Sequence, residues 1–203
     1  MRPKLLIATT SAGKMREYRI LLKGVPFSLV SPSSIGIKTV IAEVGKTFEE
    51  NARLKAQILA GESRLLTLAD DSGLEVDALG SEPGVMSARY AGENATDAER
   101  VNYLLSRLKD VPWEKRTARF RCVIAIARPE GKIEICKGAR HGFIATEPRG
   151  DNGFGYDPIF FVPEFSKTMA ELPVEIKNRI SHRGQAAKKA RRLLFKIARE
   201  EYK

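Results

Sequence analysis

The sequence of 203 residues contains few of the residues that mark specialised classes of protein: two cysteines, two histidines and one tryptophan. Two cysteines cannot build a disulfide-rich scaffold, and no spacing of His and Cys resembles a zinc site. No apolar run approaches the roughly 20 residues that a transmembrane helix needs. Internal repeats, low-complexity tracts and Pro- or Gly-rich linkers are also missing. These absences favour a compact globular protein without a membrane span.

What the chain does contain is enough apolar material for folding. Its hydrophobic content of 43% over this length allows one sizeable core or two closely joined lobes. Cys122 and Cys136 lie in two strand-like runs on either side of the turn signal Pro129-Glu130-Gly131, which predicts a hairpin. We expect both thiols to be buried and reduced.

The net charge of +10 is concentrated near the C-terminus, where residues 177–203 hold ten Lys or Arg and two Glu. Apolar residues recur at helical spacing from Arg183 to Tyr202, with the basic residues largely outside that stripe. A packed helix with a solvated basic face and a nucleic-acid surface both fit this pattern. No nucleic-acid motif accompanies the charge, so we favour the solvated face. The positive field would also attract a polyanionic ligand.

An acidic motif, Ala69-Asp70-Asp71-Ser72-Gly73, follows the short apolar run Leu65–Ala69, which indicates a buried strand. Ligands bind at the carboxyl ends of strands in open α/β sheets, so the two aspartates are candidate site residues. Ser72 and Gly73 would form the turn after the strand. Adjacent strand residues face opposite sides, which predicts different roles for Asp70 and Asp71. Taken alone, the motif favours an ordinary turn, and the other motifs of the chain reverse that preference.

The N-terminal segment predicts a strand, a turn of small residues and a helix. The strand covers Lys4 to Thr10, and the turn is Ser11-Ala12-Gly13-Lys14. A helix N-terminus beside hydroxyls and a lysine can bind phosphate. Ala8 and Met15 stand where a Walker loop requires Gly and Ser or Thr, so this is not a Walker loop. The alternative is a capped helix with Lys14 in solvent.

Further elements follow from pattern and capping signals. A helix is predicted from Thr47 or Lys46 to Gly61, and another from Thr96 and Asp97 to Leu108. Alternation from Phe120 to Ile126 predicts a strand, and its hairpin partner starts at Ile133.

The chain resembles the inosine triphosphate pyrophosphatases, also called XTP/dITP diphosphatases, nearly from end to end. Several separated blocks carry this resemblance in the same order. They are the turn 8–14 with Glu17, the segment 43–52, the acidic motif 69–74, the segment 83–92, Gly153-Phe154-Gly155-Tyr156-Asp157-Pro158, and Ile180-Ser181-His182-Arg183-Gly184-Gln185-Ala186.

The resemblance implies an elongated, two-lobed α/β fold. A long central mixed sheet would be flanked by helices, with the substrate cleft between the lobes. Residues 1–203 would form a single domain, usually in a homodimer.

The chemistry implied by the resemblance is hydrolysis of a purine nucleoside triphosphate such as ITP, dITP or XTP to the monophosphate and pyrophosphate, assisted by Mg²⁺. Glu43 and Asp71 match the metal-site carboxylates, and Asp71 also matches the general base. Mg²⁺ often uses only one or two protein carboxylates, with phosphates and water completing its shell. The role of Asp70 stays open between structural support and the surroundings of the metal.

Substrate contacts are also implied by the resemblance. The phosphates would be bound by Lys14, Lys177 and the turn Thr9-Thr10-Ser11-Ala12-Gly13, with Ser72 as a further contact. Phe154 would stack on the base. A 6-oxo purine would be recognised, and adenine rejected, by hydrogen-bond donors. These donors would come from residues 153–157, among them Gly155, Tyr156 and Asp157, and from His182 and Arg183. Without the resemblance, a core aromatic and a helix cap would explain Phe154 and the pair His182-Arg183.

Four positions, in three parts of the chain, depart from the family pattern. Ser11 stands where asparagine is usual, Asp151 and Asn152 replace Thr and Gly beside the predicted base site, and His141 lies near a position that is often tryptophan. We expect His141 to be a variable surface residue.

The predicted site begins just after Arg2 and Lys4, so cleavage of a signal peptide would remove it. We therefore expect a cytoplasmic enzyme that binds neither membrane nor nucleic acid. The nearest enzymatic alternative is a Maf-type pyrophosphatase acting on modified pyrimidine nucleotides, whose characteristic blocks are missing from this sequence.

Overall fold

The computed structural model describes residues 2–201 and shows a mixed α/β fold. Seven strands form one sheet in the order β2-β1-β3-β4-β5-β6-β7. The strands are β1 Lys4–Ile7, β2 Ser28–Val30, β3 Leu66–Val76, β4 Thr117–Ala127, β5 Ile133–Ile144, β6 Phe160–Val162 and β7 Lys167–Thr168. Strand β1 is parallel to β2 and β3, whereas β6 is antiparallel to β5 and β7. The prediction of a mixed sheet flanked by helices is confirmed.

Within residues 2–201, five α-helices accompany the sheet. They are α1 Ala12–Leu21, α2 Phe48–Ser63, α3 Asp97–Arg107, α4 Val174–Ile180 and α5 His182–Glu201. No helix within residues 2–201 is both long and apolar enough to cross a bilayer.

The chain divides into two compact units. Unit 1 comprises residues 1–71, 122–138 and 183–203, and unit 2 comprises residues 72–121 and 139–182. Each unit has its own cluster of buried apolar side chains.

In unit 1, apolar residues of β1, β3 and β4 pack with α1 and α5. Helix α5 contributes Ala186, Ala190, Leu194 and Ile197, which are fully buried at helical spacing. Five of its basic residues are exposed, namely Lys188, Lys189, Arg192, Lys196 and Arg199, whereas Arg183 at its start is buried. This confirms the packed helix with a solvated basic face. Of the predicted helix, Tyr202 lies outside the described residues.

In unit 2, the core forms around Phe160, which packs against Phe120 at 4.5 Å between ring centroids. Helix α3 buries Val101 and Leu104 in this core. It begins after Thr96, which forms a capping box with Glu99, as its spacing predicts.

The predicted turn at Ser72 and Gly73 is wrong, because β3 continues without interruption from Leu66 to Val76. Nearly every residue of this strand is buried, and Gly73 has no positive φ. The polar pair Asp70-Asp71 looks like the end of a strand in sequence, but here it lies in the middle of one. The aspartates are therefore held by an extended backbone on both sides.

The predicted end of α2 at Gly61 is also wrong. The helix runs to Ser63 and ends at Arg64, which adopts the left-handed conformation with φ of 55°. Gly61 is an interior helical residue, and a Cβ built on it would meet nothing within 4 Å. A glycine near a helix end is therefore not always its cap.

The hairpin between β4 and β5 is confirmed. The Arg128 N–H donates to the Lys132 carbonyl at 2.9 Å, and Gly131 has a φ of 98°. Cys122 and Cys136 are both free and buried, as expected for reduced thiols.

The helical position of Gly61 gives a stability prediction. Gly61→Ala should raise the free energy of unfolding by about 0.5–1 kcal/mol, because alanine loses less backbone entropy inside a helix. Urea unfolding followed by circular dichroism measures this change. Gly131→Ala is the matched control and should destabilise the protein, because its positive φ strains any residue with a Cβ. A destabilised Gly61→Ala variant would contradict the helical assignment.

Candidate active site

Unit 1 contains a buried ionic network centred on Asp70. The Lys14 ammonium lies 3.2 Å and the Arg183 guanidinium 3.3 Å from Asp70 Oδ2. Arg183 also donates to Glu17 Oε2 at 2.7 Å. Asp70, Glu17 and Arg183 are buried, so two carboxylates and two cations balance one another within the unit.

The charges of this network control its ionisation. Burial alone would raise the pKa of Asp70, but Lys14 and Arg183 hold the pKa well below its usual value. The same carboxylate affects its neighbours: burial and Asp70 together raise the pKa of the Cys122 thiol to about 12. Asp70 is therefore a permanent anion and Cys122 a permanent thiol at neutral pH.

Asp71 has different partners on the other side of β3. Its Oδ2 accepts a hydrogen bond from Asn51 Nδ2 at 3.0 Å, and its Oδ1 lies 3.4 Å from Lys55 Nζ. Lys55 also donates to Glu43 Oε1 at 2.6 Å. One ammonium thus bridges the two carboxylates that the sequence assigns to the metal. The prediction that Asp70 and Asp71 face different surroundings is confirmed.

The pKa values around Asp71 differ in direction from that of Asp70. Burial, reinforced by Glu43, raises the pKa of Asp71 even though Lys55 opposes the shift. Burial disfavours the charged Lys55, but Asp71 and Glu43 overcome this and raise its pKa. Two adjacent aspartates of one strand are thus held in opposite electrostatic settings.

The turn before α1 is open to solvent on one side. Thr10 and Ala12 are exposed, whereas Thr9, Ser11 and Gly13 are partly exposed. Ser11 caps the helix by accepting from the Lys14 N–H at 3.3 Å, and its own N–H donates to Thr9 Oγ1 at 3.1 Å. The cap is confirmed, but the alternative of Lys14 in solvent is wrong, because Lys14 binds Asp70.

In unit 2, a buried ion pair fixes the loop of residues 153–157. Asp157 Oδ2 accepts from Lys177 Nζ at 2.5 Å and from the Phe154 N–H at 2.8 Å. A Cβ on Gly153 would lie 2.1 Å from Asp157 Oδ2, so only glycine fits there. Lys177 Nζ lies 5.0 Å from the centre of the Phe154 ring, which is partly exposed. The loop therefore presents an aromatic face that a cation supports.

Other residues of this motif are held in unit 2. The Tyr156 hydroxyl donates to the Ser87 carbonyl at 2.9 Å, and the Gly155 N–H donates to Asp97 Oδ2 at 2.7 Å. The His182 ring stacks on Phe120 with centroids 4.6 Å apart. His182 is buried and its ring orientation is fixed by this contact.

Comparison with known proteins places these residues in a family. The model of the Ham1 family matches residues 5–193. The chain belongs to the Ham1 family. This confirms the resemblance read from the sequence motifs.

Relatives of this Ham1 chain are similar over almost their whole length. The dITP/XTP pyrophosphatase of Geobacter sulfurreducens is 54% identical over 183 residues, which are 90% of this chain and 92% of that protein. The dITP/XTP pyrophosphatase of Bacillus subtilis is 48% identical over 189 residues, covering 93% and 96% of the two chains. The solved structure of a HAM1 protein from Coxiella burnetii matches with a TM-score of 0.87 at 44% identity, covering 96% of this chain and 99% of that chain.

The predicted site residues fall in both units. Unit 1 groups Lys14, Glu43 and Asp71 through Asp70 and Lys55. Lys177, predicted to bind phosphate, contacts Asp157 and Phe154 in unit 2. Arg183, predicted to read the base, binds Asp70 and Glu17 in unit 1. Ser72, partly exposed, directly follows Asp71 in β3. These substrate roles stay predictions.

The departures from the family pattern lie in different settings. His141 is exposed, as expected of a surface residue. The side chains of Asp151 and Asn152 are also largely exposed, although Asn152 Nδ2 donates to the Leu172 carbonyl at 3.3 Å. Ser11 serves as the cap of α1.

Two residues of the site were missed by the sequence reasoning, Asn51 and Lys55. Both lie on α2, one turn apart, and point to Asp71. The sequence does contain a signal that these side chains face the interior. Asn51 and Lys55 are four residues apart, so they lie on one helix face. That face borders the buried residues Ala52, Ala56 and Leu59. Polar residues beside an apolar stripe deserve a search for buried partners.

The opposite settings of the two aspartates give a second prediction. Asp70→Asn should lower the free energy of unfolding at pH 7 by about 3–5 kcal/mol, because it leaves buried cations without their anion. The folded-state pKa of Asp70 is lowered, so ionised Asp70 stabilises the wild-type protein. This stabilisation is fully present above the unfolded-state pKa of about 3.9 and is lost as the pH falls from there through the folded-state pKa. Urea unfolding at several pH values measures both effects.

The matched control is Asp71→Asn, since the pKa of Asp71 is raised rather than lowered. It should cost far less stability at pH 7. Equal losses of unfolding free energy in the two variants would contradict the role given to Asp70. So would a stability difference between wild type and Asp70→Asn that stays unchanged below pH ~4.

Proposed function

We propose that this chain hydrolyses non-standard purine nucleoside triphosphates, namely ITP, dITP and XTP, to the monophosphate and pyrophosphate. The observation that carries the proposal is the pair Glu43 and Asp71 bridged by Lys55, in a chain whose relatives are named dITP/XTP pyrophosphatases. Such an enzyme would remove these nucleotides from the nucleotide pool.

The residues of unit 1 are suited to the phosphates. The turn of residues 9–13 offers backbone N–H groups and hydroxyls at the start of α1, where the helix dipole favours an anion. Lys14 extends from the first turn of that helix, and its ammonium is already oriented by Asp70. Phosphoryl transfer depends chiefly on positioning and charge stabilisation, which these groups supply.

The donor set of Glu43 and Asp71 suits Mg²⁺. Within residues 2–201 there is no group of three or more His, Cys, Asp or Glu that could hold a metal alone. Two carboxylates nevertheless fit a cation that takes oxygen ligands and completes its shell with phosphate and water. Their shared contact with the Lys55 ammonium shows that both carboxylates can surround one positive charge. When bound, Mg²⁺ would neutralise phosphate oxygens and make water more acidic.

Asp71 is the residue we assign as general base. A water oxygen would form a bond to the α-phosphorus while the bond to the pyrophosphate breaks, and Asp71 would accept the water proton. The Asn51 amide and the Lys55 ammonium fix the two oxygens of Asp71, so its orientation is set before substrate arrives. Lys55 can also offset the negative charge that develops on the phosphates.

Unit 2 carries the residues that we assign to the purine. The partly exposed Phe154 ring can stack on a base, and the Asp157–Lys177 pair holds its loop. The N–H groups of Phe154, Gly155 and Asp157 already donate within the protein. We therefore assign the contact with a 6-oxo group to the other donors of residues 153–157 and to the His182 ring, whereas the 6-amino group of adenine would leave these donors unpaired. Ser72 remains the proposed additional substrate contact, and Arg183 the proposed second reader of the base.

Further parts of the proposal concern the whole protein. We infer that residues 1–203 act as a single functional domain, that the enzyme is a cytoplasmic homodimer and that it requires Mg²⁺. The family match over residues 5–193 supports a single domain. Sedimentation analysis would measure the oligomeric state.

The proposed activity predicts a defined substrate profile. Wild-type protein with Mg²⁺ should release pyrophosphate from ITP, dITP and XTP much faster than from GTP or ATP. Asp71→Asn should reduce this turnover by about 10³-fold or more while leaving the fold intact, since it removes a metal ligand and the base together. Asp110→Asn, at an exposed aspartate of unit 2, is the control and should keep full activity. Preference for modified pyrimidine triphosphates would instead support the Maf-type alternative.

A separate prediction concerns Glu43. Glu43→Gln should raise the Mg²⁺ concentration needed for half-maximal turnover by about 10–100-fold, because an amide is a weaker ligand than a carboxylate. Part of the lost rate should return at high Mg²⁺. Steady-state assays over a Mg²⁺ titration measure the shift, with Glu200→Gln on the exposed face of α5 as control. An unchanged titration would exclude Glu43 from the metal site.

A further inference from the structure

Asn51 is almost completely buried, with 1% of its surface exposed, and both ends of its amide are bonded. Its Nδ2 donates to Asp71 Oδ2 at 3.0 Å, and its Oδ1 accepts from the Gly45 N–H at 2.8 Å. An ionised carboxylate accepts hydrogen bonds and a backbone N–H donates one, and a side-chain amide offers the matching donor and acceptor on one rigid group. Aspartate would lose the donor and repel Asp71.

The two partners of Asn51 belong to separate parts of the chain that carry the proposed metal ligands. Asp71 is itself one ligand, and Gly45 lies two residues after Glu43, the other ligand. The segment containing Glu43 and Gly45 has no helix or strand of its own. Its position relative to β3 therefore depends on side-chain links.

Lys55 forms a second link of the same kind, one helical turn further along α2. It joins Glu43 Oε1 at 2.6 Å to Asp71 Oδ1 at 3.4 Å. The Lys55 link is ionic, and it uses carboxylate oxygens of Glu43 and Asp71 that a divalent cation would also bind. The Asn51 link is neutral and reaches the segment through the backbone of Gly45, so a cation on Glu43 and Asp71 leaves the Gly45 end of that link intact.

Gly45 fits this arrangement through its missing side chain. A Cβ at this position would lie 2.6 Å from Asn51 Oδ1 and 2.8 Å from the Glu50 Cβ. Contacts this short require the backbone to move, so the segment can approach α2 this closely only with glycine.

We propose that Asn51 is a positioning residue that holds Glu43 and Asp71 at the separation needed to bind a divalent cation. This inference rests on the proposed metal site. Residues that orient metal ligands typically change metal affinity or activity by about 10–100-fold when they are removed. Asn51 would act in this way without contacting the metal.

Calorimetric titration of the whole protein with Mn²⁺ and with Mg²⁺, without nucleotide, tests the proposal directly. Asn51→Ala should bind the cation about 10–100-fold more weakly than wild type. Gln57→Ala, which removes an exposed side-chain amide from the same helix, should bind the cation like wild type. Thermal unfolding in EDTA measures the stability of each variant independently. A merely structural role would lower the melting temperature and leave the cation affinity of the folded variant unchanged.

Gly45→Ala perturbs the same link from its other end and serves as the second variant. It should weaken cation binding to a similar degree, and the double variant with Asn51→Ala should lose little more than either single variant, because both break one link. Wild-type affinity in folded Asn51→Ala would overturn the role of Asn51 while the proposed activity stands. Failure of wild type to bind either cation, with nucleotide also present, would overturn both.

Discussion

Strand β3 carries two adjacent aspartates in its middle, and both are buried. An unpaired buried carboxylate costs several kcal/mol, so the fold must bring cations to each of them. Lys14 and Arg183 form ion pairs with Asp70, and Lys55 forms one with Asp71. These cations come from α1, α5 and α2, which fixes the three helices of unit 1 around one strand. The position of the site thus follows from the need to neutralise β3.

This demand for cations also explains part of the charge distribution. Unit 1 holds 22 Lys and Arg against 11 Asp and Glu, whereas unit 2 holds 13 against 14. The whole positive excess of the chain therefore lies in the unit with the proposed phosphate-binding residues. Only some of these basic residues neutralise the buried carboxylates, since the basic face of α5 is exposed to solvent. A field of this sign raises the local concentration of polyanionic nucleotides, an effect that salt would weaken.

Sequence patterns predicted the elements whose signals are local. These elements are the first strand, which ends at Ile7 rather than at the predicted Thr10, the capped helix α1, the helix cap at Thr96 and the hairpin around Gly131. Each depends on residues a few positions apart. The errors at Ser72-Gly73 and Gly61 arose where local signals compete with tertiary burial: polar residues suggested a turn inside a buried strand, and glycine suggested a helix end inside a helix. Motif resemblance supplied Glu43 and Asp71. The spacing of Asn51 and Lys55 beside the apolar stripe of α2 indicates that they face the interior, but their partner Asp71 lies 16 to 20 residues away, and the local pattern does not identify it.

The different surroundings of the two aspartates suit the proposed division between structural support by Asp70 and chemistry by Asp71. Asp70 is surrounded by permanent cations, which makes it a fixed anion that orients Lys14 at the start of α1. Asp71 contacts a neutral amide and a single lysine that it shares with Glu43, so its charge is only partly compensated. Because side chains alternate along β3, the two settings lie on opposite sides of one backbone. A carboxylate with incomplete compensation can attract a divalent cation, whereas its neighbour keeps the surrounding structure rigid.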